Sequence, residues 1–206
     1  TDGGSTYEDL FVGFVTDINL TYPDANNSFA NFQASDAFMK IANTELINAS
    51  FSSTDSGTLI NSVLDNANVK YSSNRNIETG ISTMQSLSGI NDNTLSVLQQ
   101  IERSENGLLF IDKSGTLQFK SRHTTFPSTP SATFSDDGSD VPYLQVNYIN
   151  DDNEIYNIVD LTRVGGSAQQ AQDLGSQGKY LIRTLQRTGL YNNSDTEVLS
   201  ADNFLL

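Results

Sequence analysis

Between residues 92 and 122 the apolar positions change period, from helical spacing to strand spacing. Leu95, Leu98 and Ile101 recur on one helical face. Asp92 is a suitable N-cap and Gly107 a suitable left-handed terminator, which predicts a helix over about residues 93–106. Leu108, Leu109, Phe110 and Ile111 then form a short apolar run, expected to be a strand buried on both faces. Asp112, Lys113, Ser114 and Gly115 read as a turn, and Leu117 and Phe119 alternate with Gln118 and Lys120 as a second strand. The block is a helix followed by a hairpin.

The same reading extends to the rest of the chain. Residues 10–22 alternate well enough for a strand, with Phe11, Val15 and Ile18 apolar and Gly13 a candidate bulge. Residues 23–27 turn, and residues 28–35 pair back as a second strand. A short helix follows at 36–43, capped by Ser35 or Asp36, and a weaker strand at 46–51. Residues 58–67 form an amphipathic helix with Ile60, Val63, Leu64 and Ala67 on one face, and an extended segment is expected around 80–84 before a loop at 87–89. Residues 126–130 read as a linker and 134–142 as an exposed acidic loop. Residues 143–149 alternate as a strand, expected to turn at 150–154 and pair with 155–164, which Gly165 and Gly166 end. Residues 169–185 mix helix formers with Gly175 and Gly178 and read equally as helix or as irregular structure, and residues 195–206 read as a final helix capped by Ser194 or Asp195. The fold class is therefore α+β, with a helix-helix-hairpin block from 58 to 122.

Composition narrows the chemistry. There is no cysteine and one histidine, His123, so disulfides, thiolate chemistry and multi-histidine metal sites are excluded. A formal charge of −14 disfavours binding nucleic acid through its phosphates, though an acidic wall beside DNA would let a duplex slide past. The plain reading of that charge is a solvated acidic surface. No apolar run of roughly 18 residues marks a membrane span, and the first ten residues lack the pattern of a signal peptide. A start without methionine and an unbroken helical ending suggest a segment of a longer polypeptide.

No catalytic, cofactor or metal site stands out. The acids Asp136, Asp137 and Asp140, and Asp151, Asp152 and Glu154, lack the spacing of a calcium loop and read as turn residues. His123 has no nucleophile elbow to serve, and Gly165-Gly166 is too short for a phosphate loop. In so acidic a chain the arginines carry more information. Arg163, Arg183 and Arg187 are candidate subunit-interface residues that could bind carboxylates of a neighbouring copy, with pairing inside the chain the equal alternative.

Three separate stretches carry a resemblance. Glu105-Asn106-Gly107 leading to Asp112, Gly115, Leu117 and Phe119 is one; Phe11, Gly13, Val15, Thr16, Asp17 and Ile18 followed by Asp36-Ala37-Phe38 is another. The last runs through Tyr156, Asn157, Val159, Leu161, Thr162, Arg163, Gly165 and Gly166 to Ser176, Gln177, Tyr180, Arg183, Thr184 and Leu185. In this order they resemble the minor tail and baseplate-hub proteins of tailed bacteriophages, which often carry glycine where this chain has Leu181. The resemblance implies antiparallel β-barrel portions around an α+β insert: a barrel portion over 1–52, the insert over 53–124, and a return hairpin to the barrel with a C-terminal helical segment over 125–206. It implies a structural, non-enzymatic protein of the virion tail that forms a ring, most often a homotrimer, around the channel. Tail-tube or distal tail proteins would adjoin it on one side and tip or fibre proteins on the other, with DNA passing through without specific binding. The competing readings are a receptor- or carbohydrate-binding β-module and a tail-associated glycan hydrolase.

Overall fold

The computed structural model describes residues 9–24, 27–125, 129–130, 132–143, 145–147 and 155–206. Strands β1 (Phe14–Asp24) and β2 (Asn27–Ser35) pair antiparallel as a long two-stranded ribbon. Its register breaks between Thr21 and Asp24, around Pro23, which has no N–H to give the ladder. Helix α1 (Ala37–Ala42) follows, with the Asp36 carboxylate accepting the Phe38 N–H at 3.0 Å.

The central block begins with β3 (Glu45–Phe51), β4 (Thr54–Asp55) and α2 (Ser56–Leu64). It continues through β5 (Arg75–Ile77), β6 (Thr83–Met84) and β7 (Leu87–Asn93) into α3 (Thr94–Glu105). Hairpin β8 (Leu108–Ile111) and β9 (Leu117–Lys120) and the single turn α4 (Arg122–Thr125) close it. Strand β3 pairs antiparallel with β7, so residues 87–89 begin a strand where a loop was expected. Strand β9 lies between β8 and a parallel β5, a partner the pattern did not reveal because three residues are too few to show a period. Leu117 and Phe119 are fully buried, whereas in β8 only Leu109 is buried and Leu108 is exposed, so the inner strand of the hairpin is the second one.

Both ends of α3 differ from expectation by one residue. Asn93, not Asp92, is the cap, its side-chain oxygen accepting the Leu95 and Ser96 N–H groups at 3.0 and 3.3 Å. Asn106 (φ 55), not Gly107, takes the left-handed position, a conformation asparagine tolerates. Gly107 is required for space instead: a Cβ there would lie 2.5 Å from the Lys120 carbonyl oxygen. The core of this block joins Ile41 of α1 and Leu46 of β3 to Leu59, Ile60, Val63 and Leu64 of α2 and to Val97, Leu98 and Ile101 of α3, with Leu117 and Phe119 beneath.

The last block holds β10 (Ile158–Arg163), β11 (Gln169–Gln172), α5 (Leu174–Tyr180), β12 (Thr184–Leu190) and α6 (Asp195–Leu205). Strand β10 is the middle strand, antiparallel to β11 and parallel to β12. The expected pairing of 143–149 with 155–164 is therefore corrected. Tyr143 and residues 145–147 are not in a strand, residues 144 and 148–154 lie outside the described residues, and the partners of β10 arrive later in the chain. Local alternation marks a strand but carries no information about its neighbour. A second, smaller core of Val159, Leu161, Leu190, Val198 and Ala201 seals α6 onto this sheet. Segment 189–193 stitches the two blocks together: Gln100 Nε2 donates to the Gly189 carbonyl at 2.7 Å, and Asn192 Nδ2 to the Ser104 carbonyl at 3.0 Å.

Candidate assembly surfaces

The β1–β2 ribbon sorts its residues by face. Register pairs Val15 with Ala34, Ile18 with Phe32 and Leu20 with Ala30, and Tyr22 follows in alternation on the same side. The opposite side carries Asp17 with Gln33, Asn19 with Asn31 and Thr21 with Phe29, so it is polar except for an exposed Phe29. The bulge at Thr16 keeps the apolar set in phase, since without it Val15 would point the other way. This face is nonetheless open: Ile18 is 63% exposed and Phe32 70%. None of these residues belongs to either core. At its base Phe14 is anchored by Lys40, whose ammonium sits 3.3 Å from the ring centroid, and Val12 packs against Gly115. A two-stranded ribbon is marginal in water on its own. Covering the 55–70% of Val15, Ile18, Leu20 and Phe32 that remains exposed would release roughly 4 kcal/mol or more, at about 1.5–3 kcal/mol for each side chain buried from full exposure.

The three arginines singled out from the sequence have different surroundings. Arg163 pairs within the chain, its Nε 2.6 Å from Asp195 Oδ1 at the first turn of α6. Gly166 makes this possible, because a Cβ there would overlap both partners. Arg183 turns its Nε to the Tyr180 carbonyl at 3.3 Å, among other contacts. Arg187 is half-buried and held from behind, donating to the Asn106 side-chain oxygen at 3.0 Å. Beside it stands an exposed residue the sequence did not single out, Arg103 in the last turn of α3. Together they line a groove of about 520 Å³ with Gln100, Leu185 and Leu190, and neither forms an ion pair among the described residues.

Other polar clusters serve the fold. Glu105 is fully buried at the end of α3. Its carboxylate accepts Ser56 Oγ at 3.0 Å and the Ile81 and Ser82 N–H groups at 3.1 and 2.8 Å. Arg122, also buried, donates to Ser82 Oγ at 3.2 Å, so one knot ties α2, the 79–82 loop, α3 and α4. His123 is exposed and stacks on Phe204 with centroids 6.0 Å apart. Asp136, Asp137 and Asp140 display themselves on an exposed loop, and Asp151, Asp152 and Glu154 lie outside the described residues. No group of three or more histidine or acidic side chains among the described residues is placed to hold a metal ion. No helix among them is long and apolar enough to cross a membrane.

No protein-family model matches the chain, and no curated protein matches it in sequence. Solved structures do match its fold. A 43 kDa tail protein of prophage MuSo2 from Shewanella oneidensis aligns over 98% of this chain and 58% of its own, with a TM-score of 0.58 and 13% identity. The prophage tail protein gp18 from Listeria monocytogenes aligns over 93% and 60%, at 0.57 and 12%. A tail protein from Neisseria meningitidis aligns over 94% and 58%, at 0.61 and 10%. The fold is that of phage tail proteins. This chain spans about three-fifths of the length of each. Among the described residues, the open ribbon and the arginine groove are two surfaces whose chemistry is unfinished inside one copy.

Proposed function

We propose that this chain is a structural component of a phage tail tip, of the hub or minor tail class. Copies of it form a ring, as a homotrimer, around the tail channel. The ring joins the tail tube and distal tail proteins to tip or fibre proteins and lets DNA pass without binding it. In this reading residues 1–52 and 125–206 contribute portions of a β-barrel, and residues 53–124 are the α+β insert that projects from it.

The observation that carries the reading is the apolar face of the β1–β2 ribbon, open in a chain with the tail-protein fold. Strands with one apolar face and two unpaired edges are completed by further strands, and closure into a barrel removes such edges altogether. The overall charge of −14 fits a channel lining that repels DNA rather than trapping it. The test is the mass of the particle in solution. Sedimentation velocity with multi-angle light scattering should give a trimer, and electron microscopy a ring with an axial opening. A monomer at all concentrations up to about 100 times a micromolar dissociation constant would overturn it.

A further inference from the structure

The arginine groove has a defined chemical demand. Arg103 and Arg187 face one cavity and, among the described residues, neither forms an ion pair, in a chain with 25 acidic and 11 basic residues. Other cations of the chain have found partners: Arg75 with Asp65, Lys120 with Glu78 and Arg163 with Asp195. Glu102 lines an adjoining cavity with both arginines and attracts Arg103 through space, but forms no ion pair with either. Glu102 turns its Oε1 to the Leu109 N–H at 2.9 Å, and burial pushes its pKa up. Arg187 is pre-set, because Asn106 in its left-handed cap position holds the guanidinium from one side and donates its own amide to the Ala201 carbonyl at 3.2 Å. A guanidinium fixed in this way loses little freedom when a carboxylate docks.

The same chain carries a segment of opposite chemistry. In the loop 135–140 Asp137 accepts the Ser139 N–H and hydroxyl at 2.9 and 2.7 Å, and Asp140 takes its own N–H to Ser135 Oγ at 3.2 Å. These bonds hold the loop's shape and leave the carboxylates of Asp136, Asp137 and Asp140 exposed. Exposed Phe134 and Val141 pair at its base. Among the described residues no ion pair joins these acids to either arginine in the same copy.

We propose that the acidic loop 135–140 of one copy docks between Arg103 and Arg187 of the next. Two different patches meet in such a contact, so it is head-to-tail, the kind that closes into a ring when the rotation permits. The inference rests on the reading that copies of the chain assemble. A nucleic acid phosphate would also suit two arginines, but the field of the surrounding acids opposes its approach, whereas a short acidic loop brings its charge to the groove alone.

The experiment is a charge swap followed by sedimentation, with a thermal melt on every variant to establish folding. R103E/R187E and, separately, D136K/D140K should each weaken association by at least about tenfold, and all four changes in one chain should recover most of it. Added salt should weaken the wild-type assembly and leave the residual association of the variants nearly unaffected. If the wild type assembles and R103E/R187E assembles equally well, or the fourfold swap recovers nothing while remaining folded, this contact is wrong and the ring reading stands. If the wild type is monomeric throughout, both fall.

Discussion

The carboxamide of Asn157 clamps the backbone around Leu181. Its Nδ2 donates to the Leu181 carbonyl at 2.6 Å and its Oδ1 accepts the Arg183 N–H at 2.8 Å, while Asn157 itself is fully buried. The clamp holds Leu181 at φ 62 and ψ −178, a region otherwise nearly reserved for glycine. A strained residue persists where its surroundings over-determine it, and here a single buried amide does so.

Leu181→Gly should therefore stabilise the protein. Relief of about 1–3 kcal/mol of backbone strain outweighs the roughly 0.4–1 kcal/mol that glycine adds to the entropy of the unfolded chain. The side chain is 78% exposed and takes little packing with it. A gain of about 1 kcal/mol is expected in urea unfolding. Asn157→Ala should cost about 2–4 kcal/mol by the same measurement, because it leaves two backbone groups without partners.

The C-terminal helix should respond to pH. Asp202 is fully buried against β10, neither of its oxygens has a partner, and burial followed by the charge of Asp160 pushes its pKa from 3.8 up to about 7. The native state thus keeps a proton that the unfolded state has released. Stability from this group is complete below about pH 4 and is lost as pH rises through about 7. Asp202→Asn should remove that decline and leave the protein about 2 kcal/mol more stable at pH 8, read from denaturant midpoints across pH.

Asp112 acts in the opposite sense. Its carboxylate gathers the Thr116 N–H, the Ser114 hydroxyl and N–H and the Gln118 amide, which hold its pKa down at about 2. The turn between β8 and β9 should loosen as pH falls from about 4 towards 2. The protection of the Ser114 and Thr116 amides, measured against intrinsic exchange at each pH, should fall over that window, and in Asp112→Ala it should be low at every pH.

The Glu105 knot should be costly to cut. Glu105→Ala leaves Ser56 Oγ and the Ser82 N–H buried without an acceptor and frees the part-buried Ile81 N–H, for a loss of about 3–5 kcal/mol. Glu105→Gln keeps one accepting oxygen and should cost about half as much, with both measured by urea unfolding.

The open ribbon should be separable from the cores. Ile18→Asp together with Phe32→Asp places two charges on the apolar face without touching either core. Assembly should be abolished in sedimentation while the melting temperature of the isolated chain moves by no more than about 2 °C. A large drop in melting temperature would mean that the ribbon is part of the folding unit instead.

Much of the architecture was legible because it is written in short-range terms. The periods of α2 and α3, the caps narrowed to Ser35 or Asp36 and to Ser194 or Asp195, and the hairpin signalled by Asp112 and Gly115 depend on residues a few positions apart. The acidic loop and the pairing of the first two strands were legible for the same reason, whereas the ribbon's apolar face depends on the bulge at Thr16. Arg103 could have been suspected as a cation in the last turn of a confident helix, but nothing local set it beside Arg187, 84 positions later.

Sequence alone settled the local elements, the absence of thiol chemistry, the acidic surface and a resemblance to phage tail proteins. Tertiary structure decided which strands meet, so that β10 takes β11 and β12 and not residues 143–149. It also decided which arginines are spent inside the chain and which face a groove. The reason is physical: helix period, cap and turn are set by neighbours along the backbone, whereas strand partners, charge pairs and burial depend on contacts between distant residues that exist only once the whole chain has closed around its cores.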